Sequence, residues 1–160
     1  MKLRHYHLVA ETVPAEHDIL AVWQLIDRCA AEWSRKVGED VLQFGRVDRL
    51  AKADLVIGFG ENPRWPAKIA FCESRPGLGH NLVFDRRARW EISRLQRWFG
   101  RVGGESFIAL CLHEIGHALG CVHSPDPASI MHHAPTRTTV NANVAAFVRA
   151  KILTEEGLRA

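Results

Sequence analysis

The sequence predicts one α+β domain spanning residues 1–160, built from five strands and three helices. Three observations carry this prediction. Apolar residues recur at helical spacing from 16 to 37. A nearly continuous apolar run at 53–59 reads as a central strand. A second apolar helix is expected over 105–119, directly after the breaker Gly103-Gly104. A length of 160 residues fits a single core, and 47% apolar with 24% charged residues is ordinary for a globular chain.

The elements follow in order. Residues 3–10 interleave β-favouring and polar residues and read as a first strand. Ile19, Val22, Trp23, Ile26, Cys29, Ala30, Trp33 and Val37 form the apolar stripe of the first helix, which Gly38 stops. Strands are expected at 41–48, 53–59, 67–72 and 81–85, with turns at Gly60–Pro63 and Arg75–Gly79. Residues 86–103 carry Arg86, Arg87, Arg89, Arg94, Arg97 and Arg101 among Trp90, Trp98 and Phe99. They read as a solvated face with its aromatics tucked inward, or as a basic patch for an acidic partner or nucleic acid. A Pro-, Ser- and Thr-rich loop at 124–139 precedes a last helix, capped by Asn141 or Asn143 and ending near Leu153.

Composition excludes several classes of function. A net charge of +3 gives no reason to expect a nucleic-acid partner. No apolar run approaches the length of a bilayer span. Residues 1–7 lack the apolar core of a signal peptide, which favours a cytoplasmic setting, or an extracellular one if an export segment was removed. The four cysteines, Cys29, Cys72, Cys111 and Cys121, show no C-x-x-C pair and read as reduced thiols. A monomer is expected.

Chemistry concentrates in His113-Glu114-Ile115-Gly116-His117-Ala118-Leu119-Gly120-Cys121-Val122-His123. On a helix, His113 and His117 lie one turn apart on one face, where two imidazoles can share a zinc ion. Glu114 stands beside the open coordination position, placed to take a proton from water. A straight helix would carry residue 123 out of reach. Gly120 tolerates positive φ, so the chain can turn back there and bring in His123. Three imidazoles leave one position open, the arrangement of a catalytic zinc.

The pattern H-E-x-x-H-x-x-G-x-x-H resembles the metzincin signature, and the following Ser124 is typical of the matrixin branch. Met131, in Ser129-Ile130-Met131, matches the family's Met-turn, in which a methionine packs beneath the ligands. Trp33-Ser34, the strand 53–59, Pro76-Gly77-Leu78-Gly79 and Phe84-Asp85…Trp90 also resemble matrixin features, in the right order. The resemblance implies a twisted five-stranded mixed sheet with one antiparallel edge strand, and a cleft running along that edge. It implies a zinc metalloendopeptidase acting on peptide or protein substrates, with one catalytic Zn2+ on His113, His117 and His123 and Glu114 as general base. Substrate would lie against Ile69, Ala70 and Phe71 in the edge segment 68–72, with Pro135 lining the pocket after the scissile bond.

The chain also departs from the family pattern. A structural-zinc histidine is expected in the edge strand, where this chain has Ile69, and another before Phe84, where it has Val83. Apolar residues hold no zinc. The acidic residues expected after Asp85 to bind calcium are Arg86, Arg87 and Ala88. The expectation is therefore one zinc, with no structural zinc and no calcium. His80 reads as a solvated loop residue. Cys121 is either an extra thiolate ligand or a small residue packed behind the zinc loop. His132 and His133 are either substrate contacts or the pocket wall. Two other readings use the same residues: a zinc-binding recognition module, and a zinc hydrolase of a non-peptide amide.

Overall fold

Leu55, Ile57 and Phe59 are buried while their neighbours are half-exposed, so this strand turns one face to a core rather than both. It is β3 (Leu55–Gly60) of a five-stranded sheet whose other members are β1 (Lys2–Leu8), β2 (Leu42–Arg46), β4 (Ala70–Arg75) and β5 (Gly79–Asp85). The strand order is β2-β1-β3-β5-β4. Four strands run parallel, and β4 lies antiparallel to β5 at the edge. Three helices, α1 (Ile19–Val37), α2 (Phe107–Ala118) and α3 (Ala142–Gly157), complete the described fold. The structure is a computed structural model that describes residues 1–61, 68–92 and 106–157. The α+β class and the mixed sheet agree with the sequence prediction.

Helix α1 begins where the Asp18 carboxylate accepts from Leu20 N at 2.9 Å, and ends at Gly38 with φ +108°. Its stripe packs against α2, where the buried indole of Trp33 donates to Leu112 O at 3.0 Å. At the N-terminal end of α2, Phe59, Phe84, Trp90 and Phe107 pack with ring centroids 4.8–6.3 Å apart. This cluster fixes α2 on β3 and β5. Arg149 ties α3 to the end of α1, donating to Val37 O and to the Asp40 carboxylate.

Three sequence expectations shift. The edge strand, expected at 67–72, starts at Ala70 and runs to Arg75, because hairpin pairing sets its register: Ala70 faces Phe84 and Arg75 faces Gly79. In this register Phe71 sits opposite Val83. Second, His80 is no solvated loop residue; it lies on β5, half-buried. Third, Asn141 precedes α3, but its side chain points elsewhere. Its Oδ1 accepts from Ile130 N at 2.7 Å and its Nδ2 donates to Ala128 O at 2.9 Å. Helix α3 also runs past Leu153 to Gly157.

Of the arginine-rich stretch, Arg86, Arg87 and Arg89 are described and exposed, whereas Trp90 is buried and donates to Asp85 O at 2.8 Å. Arg94, Arg97, Trp98, Phe99, Arg101 and Gly103-Gly104 lie outside the described residues, as do Asn62, Pro63 and Ala67. Among the described residues no helix is long and apolar enough to cross a membrane.

Candidate active site

The Ser106 hydroxyl caps α2, accepting from Ala109 N at 3.3 Å. Apolar residues bury most of the helix, so His113 and Glu114 are carried into the interior at 3% and 4% exposure. After Ala118 the chain turns at Gly120 with φ +88°, as the motif requires. Cys121 N then donates back to Gly116 O at 2.9 Å, and His123 returns to the helix face.

The three imidazoles converge. His117 Nε2 lies 3.0 Å from His113 Nε2 and 3.2 Å from His123 Nε2. Four ligands at about 2.0–2.1 Å around a tetrahedral zinc stand about 3.3 Å apart, so the triad already has the spacing of one ion's coordination edge. The opposite ring nitrogens are engaged. His113 Nδ1 donates to Ile130 O at 2.8 Å and His117 Nδ1 to Cys121 O at 2.9 Å. These carbonyls place the ring protons on Nδ1 and leave the Nε2 lone pairs aimed at each other. Lone pairs at 3 Å repel unless a cation sits between them, and the donor set fits zinc. Burial is the main cause that lowers the pKa of His113, to about 4, and that of His123. Both are therefore neutral, the ligand form, at pH 7.

Glu114 completes the constellation. Its Oε2 is buried without a hydrogen-bond partner among the described residues, and burial raises the carboxyl to about 7, against the opposing charge of Lys68. A carboxylate that readily holds a proton at neutral pH suits proton transfer.

Met131 lies beneath the helix at 1% exposure, its carbonyl accepting from Ser124 N at 2.8 Å. A methyl group on Gly116 would overlap Met131 Sδ and stand 3.1 Å from Trp33 Cζ2. Glycine in the H-E-x-x-H core is thus a packing requirement, which the sequence reading did not single out. Gly116→Ala gains helix propensity of ~1 kcal/mol but overpacks the floor by about 1–3 kcal/mol. We expect a net loss of up to about 2 kcal/mol in urea unfolding; a raised midpoint would mean that Met131 gives way to the added methyl group.

A cleft of ≈ 820 Å³ runs beneath the edge strand. It gathers Ile69, Ala70, Phe71 and Pro135 with Glu114 and the triad, so the residues expected to meet substrate share one wall-and-floor surface. His133 and Leu110 also line it. His132 faces away to Ala134, whose N–H donates to its Nδ1 at 3.3 Å. Cys121 stands outside the close-set group of metal-type donors found among the described residues; its carbonyl serves His117, and burial pushes its thiol up to about 11. His80 and Cys72 line the cleft as well, which the sequence reading missed.

Comparison with known proteins agrees with this geometry. The matrixin family model matches residues 4–145. Matrilysin of Felis catus is 34% identical over 71% of this chain and 42% of its own length. Matrilysin of Homo sapiens is 28% identical over 82% of this chain and 48% of its own length. A probable matrix metalloproteinase of invertebrate iridescent virus 3 is 33% identical over 63% of this chain and 28% of its own length. The chain therefore spans less than half the length of these relatives. Sheet topology, histidine triad and family match agree: the chain belongs to the matrixin family of zinc metallopeptidases.

Proposed function

We propose that this chain is a zinc-dependent endopeptidase that hydrolyses peptide bonds in an extended substrate, with residues 1–160 as a single catalytic domain. The observation that carries the proposal is the convergence of three Nε2 atoms beside the buried, unpartnered carboxylate of Glu114. A zinc ion held by His113, His117 and His123 supplies Lewis acidity to water and to the scissile carbonyl. Glu114 accepts the proton of the attacking water and delivers it to the leaving amine nitrogen. Strand β4 is an edge, so one row of its backbone groups can pair with an extended peptide. Ile69, Ala70 and Phe71 flank that row, and Pro135 shapes the pocket beyond the scissile bond. Met131 acts by supporting the ligand helix.

Catalysis needs one zinc and no accessory ions. Phe71 faces Val83 across the hairpin, and neither side chain can bind a second zinc. The Asp85 carboxylate accepts from Arg87 N, Nε and Nη2 at 2.9–3.1 Å, so its charge is already paired with a guanidinium.

The test is cleavage of a diverse peptide library by the zinc-loaded protein. Cleavage is expected to fall to background with a zinc chelator and to return when zinc is restored. Zinc-loaded protein that cleaves no peptide would overturn the proposal in favour of a recognition module. Cleavage confined to non-peptide amides would move it to a different substrate class.

A further inference from the structure

Strand β4 offers its outer edge in a definite phase. Asp85 N donates to Ile69 O at 2.7 Å, and Ala70 stands opposite Phe84. In an antiparallel ladder, successive residues alternate between facing the partner strand and facing away from it. Ile69 thus turns its carbonyl to β5, whereas Ala70 and Cys72 turn their N–H and C=O groups to the open edge. Lys68 stands at the start of this row, is exposed, and lines the cleft together with Glu114. Among the described residues lining the cleft, Lys68 is the one lysine or arginine and Glu114 the one acid. Glu73, the acid of β4, is exposed and outside that lining. Burial is the leading cause of the shifts at Glu114 and His123; the positive charge of Lys68 adds a downward pull on both. That charge therefore reaches the groups around the scissile bond.

An extended peptide paired with this row advances by about 3.4 Å per residue. Antiparallel pairing is the more stable arrangement, and β4 runs from Ala70 to Arg75. A peptide running the other way carries its segment after the scissile bond towards Lys68. We propose that Lys68 selects peptides bearing Asp or Glu within about three residues after the scissile bond, by pairing with that side chain at the mouth of the cleft. The inference rests on the peptidase reading and names the substrate class for it. A basic side chain at the same position meets Lys68 as a like charge and is disfavoured. Because Lys68 is exposed, the preference for Glu over its uncharged isostere is modest, about 2–5-fold, and salt weakens it.

The test uses zinc-loaded protein and peptides of one sequence in which Glu, Gln or Lys is placed at each position in turn, with the cleaved bond located by mass spectrometry. Gln has the shape of Glu, so the Glu-to-Gln ratio of kcat/KM reads charge. A ratio taken within one variant also cancels any general effect of the substitution on turnover. Wild type is expected to prefer Glu over Gln by about 2–5-fold at a position after the scissile bond, with Lys the poorest. The preference should shrink in ~0.5 M sodium chloride. Lys68→Ala is expected to bring the ratio to one, Lys68→Glu to invert the order in favour of Lys, and Lys68→Arg to retain it. A wild-type ratio of one, a ratio unchanged in Lys68→Ala, or a preference found only before the scissile bond overturns the assignment. Protein that cleaves none of the peptides sinks the hydrolytic reading separately. Binding of the same peptides, followed by fluorescence anisotropy, then upholds or refutes the dependence on Lys68.

Discussion

Glu114→Gln is expected to retain one zinc per chain while kcat/KM for peptide cleavage falls by about 10²–10⁴-fold. Glutamine keeps the shape of the side chain and leaves the three imidazoles untouched, so metal content separates a chemical defect from a binding one. It cannot accept the water proton. A variant that cleaves at the wild-type rate would remove Glu114 from the mechanism. The same substitution has an opposite effect on the metal-free fold. Burial raises the Glu114 carboxyl from 4.5 to about 7. A raised carboxyl leaves stability untouched below its unfolded value, erodes it as pH climbs through the folded value, and has its full penalty above that. At pH 8 the penalty is of order 3 kcal/mol. Metal-free Glu114→Gln should therefore melt higher than metal-free wild type at pH 8, with the difference vanishing near pH 4. Equal melting at both pH values would mean that the carboxyl is solvated.

Gly79→Ala should cost about 3 kcal/mol or more and lower the melting temperature by about 10 °C. Gly79 has φ +97°, and a methyl group there would overlap Asp54 O and stand 2.8 Å from Asp54 C. The obstacle is backbone on both sides, so no side-chain rotation relieves it. Asp54 O also accepts from His80 N at 2.7 Å, and its carboxylate accepts from His5 N at 2.7 Å. One residue thereby ties the β4–β5 hairpin to β1 and the start of β3. The hairpin carries the cleft's edge, so the variant should lose structure around the cleft first, seen as loss of amide-exchange protection in β4. A melting temperature within 2 °C of wild type would show that the hairpin shifts freely.

The convergence of the three histidines was legible in the sequence because the chemistry of a shared ion dictates such a spacing. Two ligands one helical turn apart, a glycine that permits reversal and a third ligand three residues later leave few alternatives. The long helix α1 was legible because its stripe persists over five turns. The edge strand was not. Glu73, Ser74 and Arg75 are polar because an edge strand is half solvated, so hydropathy stopped at residue 72 while pairing continued to Arg75. Register between strands is a long-range property, which is why the partners of the edge strand could not be read from the sequence. His80 was misread for the same reason: the glycine-rich turn before it is tight, and pairing begins at Gly79. Asn141 carries a cap signal that the structure redirects and Gly116 carries none, since each acts through a partner distant in the chain.

Asn141 gives the site a dependence on the far end of the chain. Its amide bridges Ala128 O and Ile130 N, and the Ile130 carbonyl in turn orients the His113 ring. The segment at the start of α3 thus acts as a rear anchor for the His113 ring, though it lies far from the cleft in sequence. Tension or loosening at α3 is transmitted along two hydrogen bonds to the imidazole. The last helix is therefore a handle on the histidine triad, and the shortest chain able to hold His113 in register must extend past residue 141.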